Sequence, residues 1–158
     1  MSHFDKAILA VLKHEGGYVN NPNDPGGETR YGICKRSYPK VDIKNLTQAE
    51  AIEIYRRDFW NPKYERMPYE IAAKVFDIAV NMGQRQAHKL LQRAVNVVDD
   101  GIIGGKTIAA VMAMSIGALL DNITIEQIKY YKAVVKNRPT SSIFMAGWIN
   151  RAEWHPVA

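Results

Sequence analysis

A single cysteine, Cys34, in 158 residues excludes an intrachain disulfide. A lone thiol of this kind reads as a small hydrophobe rather than a nucleophile. Long apolar runs are missing too: no stretch approaches the roughly 20 residues that a membrane-crossing helix requires. The apolar segment at residues 7–12 is short, follows Asp5 and lacks a small-residue cleavage site. The N-terminus therefore reads as part of the mature fold rather than as a leader. The four histidines show no metal-ligand spacing and have no cysteine pair beside them, so neither a metal nor another cofactor is expected. Repeats and low-complexity linkers are also absent. "DDGIIGGKT" at residues 99–107 lacks the first glycine of a phosphate loop. Asp100 stands there instead, and a carboxylate in that place repels phosphate.

What is present is ordinary for a compact chain: 47% hydrophobic and 23% charged residues. The net charge of +5 and the pI near 9.3 favour a polyanionic partner such as an acidic cell wall, an anionic lipid or nucleic acid. The densest basic spots, "KRSYPK" and "YRRDFW", are not runs of one sign. No clustered basic face or helix-turn-helix pattern emerges, so a nucleic-acid partner is not expected.

Helical spacing dominates. Phe4, Ile8, Val11 and Leu12 define a first helix that Gly16 and Gly17 stop. Residues 18–45 carry turn signals, and "TRYGI" predicts a small hairpin. Thr47 and Glu50 form a capping-box pattern that opens a helix to about Phe59. "YEIAAKVFDIAVNM" is the strongest helical stretch, with Ile71, Val75, Ile78 and Met82 as its expected buried stripe and Gly83 as its end or kink. A helix resumes in "RQAHKLLQRAVNV", "KTIAAVMAMS" makes a short one, and Thr124 with Gln127 predicts a cap opening "IEQIKYYKAVVKN". "SSIFMAGWINRAEW" completes a mainly α chain. Trp60, Trp148 and Trp154 read as packing residues.

The end of the first helix points to chemistry. On a wheel of about 100° per residue with Phe4 at zero, Glu15 falls near 20°, inside the apolar stripe. A carboxyl group there is shielded from water and meets the negative end of the helix dipole. Both favour a held proton, which a general acid needs. Asp24 follows in "NPNDPGG", a setting in which an aspartate either bonds its own turn or stays ionised to activate a water. Two carboxyl groups in unlike environments are the working pair of glycoside hydrolysis. The Thr29 hydroxyl suits orientation of that water, Gly26 and Gly27 suit close approach of a bulky substrate, and Tyr31 suits a sugar face.

"EGGYVNNPNDPGGETRYGI" resembles the N-terminal signature of glycoside hydrolase family 108, the N-acetylmuramidases of phage endolysins and related cell-wall lytic, secretion-associated proteins. The shared pattern is Glu-Gly-Gly, then Asp-x-Gly-Gly-x-Thr, then Tyr-Gly-Ile. The resemblance implies a lysozyme-like helical fold with a small loop or β-hairpin after the first helix, and it places the catalytic glutamate at Glu15. The Glu-x8-Asp spacing is also similar to other phage lysozymes, although the step from Asp24 to Thr29 is one residue shorter here. Arg30 stands where the family often has asparagine. "FDIAVNMGQRQAHKLLQRAVN" resembles the central helix of these enzymes and its successor, with Asn81 either facing the cleft or capping the helix end. "DDGIIGGKT" and "GWINR" resemble the accompanying peptidoglycan-binding region, with Gly105 in place of the usual proline.

The resemblance divides the chain into a lysozyme-like catalytic region at 1–93 and a helical peptidoglycan-binding-like region at 94–158. The expected activity is cleavage of the β-1,4 bond between N-acetylmuramic acid and N-acetylglucosamine. Glu15, Asp24 and Thr29 are the expected catalytic set, and Gly26, Gly27, Tyr31 and Asn81 the expected substrate contacts. Peptidoglycan glycan strands are the expected partner. A chain without a leader needs a holin or another export partner to reach the wall from the bacterial cytoplasm. A non-catalytic wall binder, a lytic transglycosylase and a basic nucleic-acid binder remain the alternatives.

Overall fold

The computed structural model describes residues 1–23 and 26–158. It is mainly α, with one two-stranded sheet among the described residues. The chain forms two compact units, Met1–Asn61 and Pro62–Ala158.

The first unit opens with α1 (His3–Glu15). The Ser2 hydroxyl accepts from the Asp5 amide at 3.1 Å and the Asp5 carboxylate accepts from the Ser2 amide at 3.2 Å, a reciprocal cap that satisfies two orphan donors. The helix buries Phe4, Ala7, Ile8, Val11 and Leu12. Strands β1 (Thr29–Arg30) and β2 (Ile33–Cys34) pair antiparallel, with Arg30 opposite Ile33. The two-residue connection, Tyr31 and Gly32, has φ of 52° and 79°. Positive φ at both positions is the signature of the type I′ hairpin turn, whose twist matches that of the strands. Helix α2 (Gln48–Asp58) starts at the Thr47–Glu50 capping box expected from the sequence and buries Ala51, Ile54 and Tyr55. The Phe4 and Trp60 rings meet edge to face at 5.4 Å, which closes the core of this unit.

In the second unit, a 3-10 turn at Pro62–Arg66 leads into α3 (Tyr69–Met82), followed by α4 (Gln84–Ala94), α5 (Gly105–Met112), α6 (Ile116–Asn137) and α7 (Met145–Glu153). Gly83, at φ 91°, separates α3 from α4. Helix α3 packs on both α4 and α6. Its burial is wider than the predicted stripe: every residue from 71 to 79 is buried, including Lys74 and Asp77, while Met82 at the end is only half-buried. The polar pair is accommodated by α7. Arg151 donates to Asp77 from Nε and Nη2, each at 3.0 Å, and the Lys74 ammonium donates to the carbonyls of Ala152, at 2.7 Å, and Trp154.

Gln92 organises the "DDGIIGG" turn. Its Nε2 donates to Asp100 and to the Ile102 carbonyl, both at 2.9 Å, and its Oε1 accepts from the Gly101 amide at 2.8 Å. The predicted cap at Thr124 is not one. Helix α6 begins eight residues earlier, where Ser115 accepts from the Ala118 amide, and runs through Thr124. The Thr124 hydroxyl instead lies within hydrogen-bond distance of the carbonyls of Leu120 and Ala152, so it helps dock α7. Among the described residues no single helix is long and apolar enough to cross a membrane.

Candidate active site

Glu15 is the last residue of α1 and is half-buried. The chain leaves the helix at Gly16, whose φ of 76° is a conformation that L side chains rarely adopt, and whose amide still donates to the Leu12 carbonyl at 3.1 Å. The chain then pairs with the hairpin: the amides and carbonyls of Val19 and Thr29 exchange two hydrogen bonds, at 2.7 and 2.8 Å. That pairing sets Thr29 beside the segment that follows Glu15.

The hairpin turn sits on the glutamate stem. A Cβ placed on Gly32 would lie 2.7 Å from both Cβ and Cγ of Glu15 and would collide with the Tyr55 hydroxyl. Only glycine fits, on two independent grounds: the positive φ and the absent space. Tyr55 is buried on α2, and its hydroxyl donates to the Tyr31 carbonyl at 2.6 Å. The bond pins a turn whose first residue is a tyrosine in the left-handed region, where non-glycine residues are uncommon. So α1 supplies the carboxyl group, the hairpin restricts its stem, and α2 holds the hairpin.

The flanking residues are ordered by their own contacts. The Tyr18 hydroxyl donates to Glu28 at 2.8 Å, and the Arg30 guanidinium lies 5.0 Å above the Tyr18 ring. The Glu28 bond, with burial and the nearby carboxylate charge, raises the Tyr18 pKa. Gly26 and Gly27 meet the chain just beyond β2: the Gly26 carbonyl accepts from the Arg36 amide at 3.0 Å, and a Cβ on Gly27 would lie 3.5 Å from that of Lys35. Gly27 has φ 74°, so glycine is required there by backbone conformation. A 360 Å³ groove beside the end of α1 is lined by Leu12, Lys13, Gly16, Gly17, Tyr31 and Gln48, among others. Tyr31 therefore presents to open space next to Glu15, while Glu15 itself is not among the lining residues. Asp24 lies outside the described residues.

Asn81 belongs to the second unit, at the end of α3. It does not cap the helix, which ends on the Gly83 amide donating to the Ala79 carbonyl; its Oδ1 accepts from the Tyr131 hydroxyl at 2.6 Å. Among the described residues no three His, Cys, Asp or Glu side chains converge as a metal site. Sequence patterns do not single out Gly32 as a contact, nor Tyr55 at all. The Tyr-Gly-Ile pattern is the available signal for the first, but nothing local joins Tyr55 to a carbonyl 24 positions away.

The first unit thus sets a glutamate at the end of its first helix against the turn of a hairpin. The glycosyl hydrolase 108 family model matches residues 8–83, and one described as a predicted peptidoglycan domain matches residues 78–153. Among solved structures, Brucella abortus SagA is 35% identical with a TM-score of 0.79, over 94% of this chain and 88% of that one. A comparison with curated proteins gives no match. The chain belongs to the glycosyl hydrolase 108 family and carries a peptidoglycan-binding domain in its second half.

Proposed function

We infer that this chain is an N-acetylmuramidase that hydrolyses the β-1,4 bond between N-acetylmuramic acid and N-acetylglucosamine. Glu15 protonates the glycosidic oxygen as oxocarbenium character develops on the departing sugar. Asp24 stabilises that positive charge or activates the incoming water, with the Thr29 hydroxyl orienting it. Gly26, Gly27, Tyr31 and Asn81 contact the glycan. The observation that carries the reading is the clamp on Glu15: the Gly32 turn restricts the acid's stem, and restriction of the reacting group is where much of an enzyme's advantage arises.

The net charge of +5 favours encounter with the anionic wall and makes lysis sensitive to salt. The reading includes synthesis in the bacterial cytoplasm, action on the wall, and a holin or another export partner as the route between them. The deciding experiment is Glu15→Gln. The variant is expected to fold with an unchanged circular dichroism spectrum and to lose the clearing of purified sacculi. Clearing at the wild-type rate would refute the assignment of the acid. Mass spectrometry of the wild-type products is expected to show reducing ends; 1,6-anhydro ends would establish a lytic transglycosylase instead.

A further inference from the structure

Among the described residues, three grooves of the second unit are of similar size and differ in chemistry. One of about 230 Å³ is lined by Arg93, Glu126 and Lys129 among others and has no aromatic wall. Another, about 240 Å³, runs along the turn at residues 97–107, includes Asp100 and Lys106, and also has no aromatic wall. The third, about 260 Å³, is lined by Asn81, Met82, Tyr130, Tyr131, Val134 and Trp148. Its lining holds no carboxylate or amine, three aromatic side chains and one carboxamide.

We propose that this third groove, between the end of α3 and the helices α6 and α7, is where the second unit binds the N-acetylhexosamine rings of the glycan strand. Pyranose rings present C–H faces that pack on aromatic side chains and hydroxyl and acetamido groups that pair with fixed amides. Aromatic side chains and a carboxamide both line the groove, with half-buried Tyr130 and Trp148 the less covered of its three rings. Tyr131 and Trp148 stack at 4.9 Å with 17° between their planes, and Phe144 continues the row at 5.7 Å from Trp148. The row runs outward from buried Tyr131 to Phe144, which is 55% exposed beside Ile143, itself 79% exposed. Tyr130 meets Tyr131 edge to face at 5.9 Å and gives the groove its second aromatic wall.

The Tyr131 hydroxyl orients the polar group. By donating to Asn81 Oδ1 it fixes the carboxamide, so that the Asn81 NH2 is the group with protons to offer a ligand. Burial raises the Tyr131 pKa to about 12, so that hydroxyl stays a neutral donor throughout the physiological range. The absence of charge among the lining residues selects the neutral sugar over the carboxylate-bearing peptide stems. The proposal rests on peptidoglycan as the ligand, within the reading above, but not on the acid chemistry of Glu15.

The test measures binding without turnover, in the full chain carrying Glu15→Gln. Tyr130→Ala changes a half-buried position and is expected to melt near the parent, whereas Asn81→Ala removes the acceptor of the buried Tyr131 hydroxyl and is expected to melt lower while still folding. Each is expected to weaken sedimentation with purified sacculi about tenfold, the change of one lost contact of about 1.4 kcal/mol. The tetramer of N-acetylglucosamine is expected to compete for the sacculi and to change tryptophan fluorescence, a response that Trp148→Phe removes. Lys106→Ala in the neighbouring groove is expected to leave all these readouts unchanged. Parent-like binding by folded Asn81→Ala and Tyr130→Ala, or competition by free stem peptide but not by the tetramer, would overturn the assignment. Sacculus clearing by the Glu15→Gln parent would instead sink the muramidase reading and leave the groove's test standing.

Discussion

Replacing Asp77 by Asn should be among the most damaging single changes in the second unit. Asp77 is completely buried on α3, and Arg151 on α7 grips it with two hydrogen bonds of 3.0 Å. Lys74, also completely buried, lies one turn earlier on α3 and donates to the last carbonyls of α7 and its cap. The cluster thus holds two cations against one anion. Asn keeps the shape and removes the cluster's negative charge. Breaking a buried ion pair by deleting one partner costs about 3–5 kcal/mol, a large share of the about 5–15 kcal/mol by which proteins are stable. At about 2–4 °C per kcal/mol for a chain of this size, the expected fall in melting temperature is about 6–20 °C.

A pH signature accompanies the loss. Burial lowers the Lys74 pKa to about 8 from 10.5, with Asp77 opposing the fall. Between those values the unfolded chain holds a proton that the folded chain has released, so stability attributable to Lys74 rises with pH across that window. Without Asp77 the folded value drops further and the rise begins at lower pH. Asp77→Asn should therefore regain part of its deficit between pH 7 and pH 9. Urea unfolding followed by circular dichroism at the two pH values reads both effects. The double variant Asp77→Leu/Arg151→Met, which removes the pair together, should recover more than half of the loss. A melting temperature within about 2 °C of wild type for Asp77→Asn would refute the role given to this cluster.

Gly32→Ala forces a side chain into the left-handed region and against Glu15, so it should cost at least about 1–2 kcal/mol and most of the lytic rate, measured by melting and by sacculus clearing. Tyr55→Phe keeps the buried ring and removes the bond to Tyr31; it should cost about 1 kcal/mol and lower kcat while sacculus binding stays unchanged, and an unchanged kcat would show that the turn needs no such pin. His88 is buried between the Tyr64 hydroxyl and the Gly101 carbonyl, and burial lowers its pKa below 6.5. The unfolded chain therefore takes up a proton before the folded chain does, so stability should decline as pH falls below 6.5, and His88→Gln should flatten that decline in urea melts between pH 6.5 and 5.

Signals confined to a few neighbouring residues are legible in the amino-acid sequence alone. The Thr47–Glu50 cap, the hairpin at "TRYGI", the break at Gly83 and the end of α1 at Gly16 each depend on the conformational preference of residues within four positions of one another. The mainly α class follows from these, and the family from the run that begins at Glu15. The same local logic misplaces a helix start at Thr124, because its hydroxyl is used by Ala152 from another helix, 28 positions on.

Packing alone settles the contacts made by chain segments that return from far away. Gly32 rests on Glu15 because a turn folds back over α1, Tyr55 reaches that turn from α2, Tyr131 crosses 50 positions to Asn81, and Arg151 crosses 74 to Asp77. A residue's type and spacing record its own backbone preference and its own burial, so they announce helices, turns and an acid out of place on an apolar face. The identity of the distant group that meets it is set by how whole elements pack.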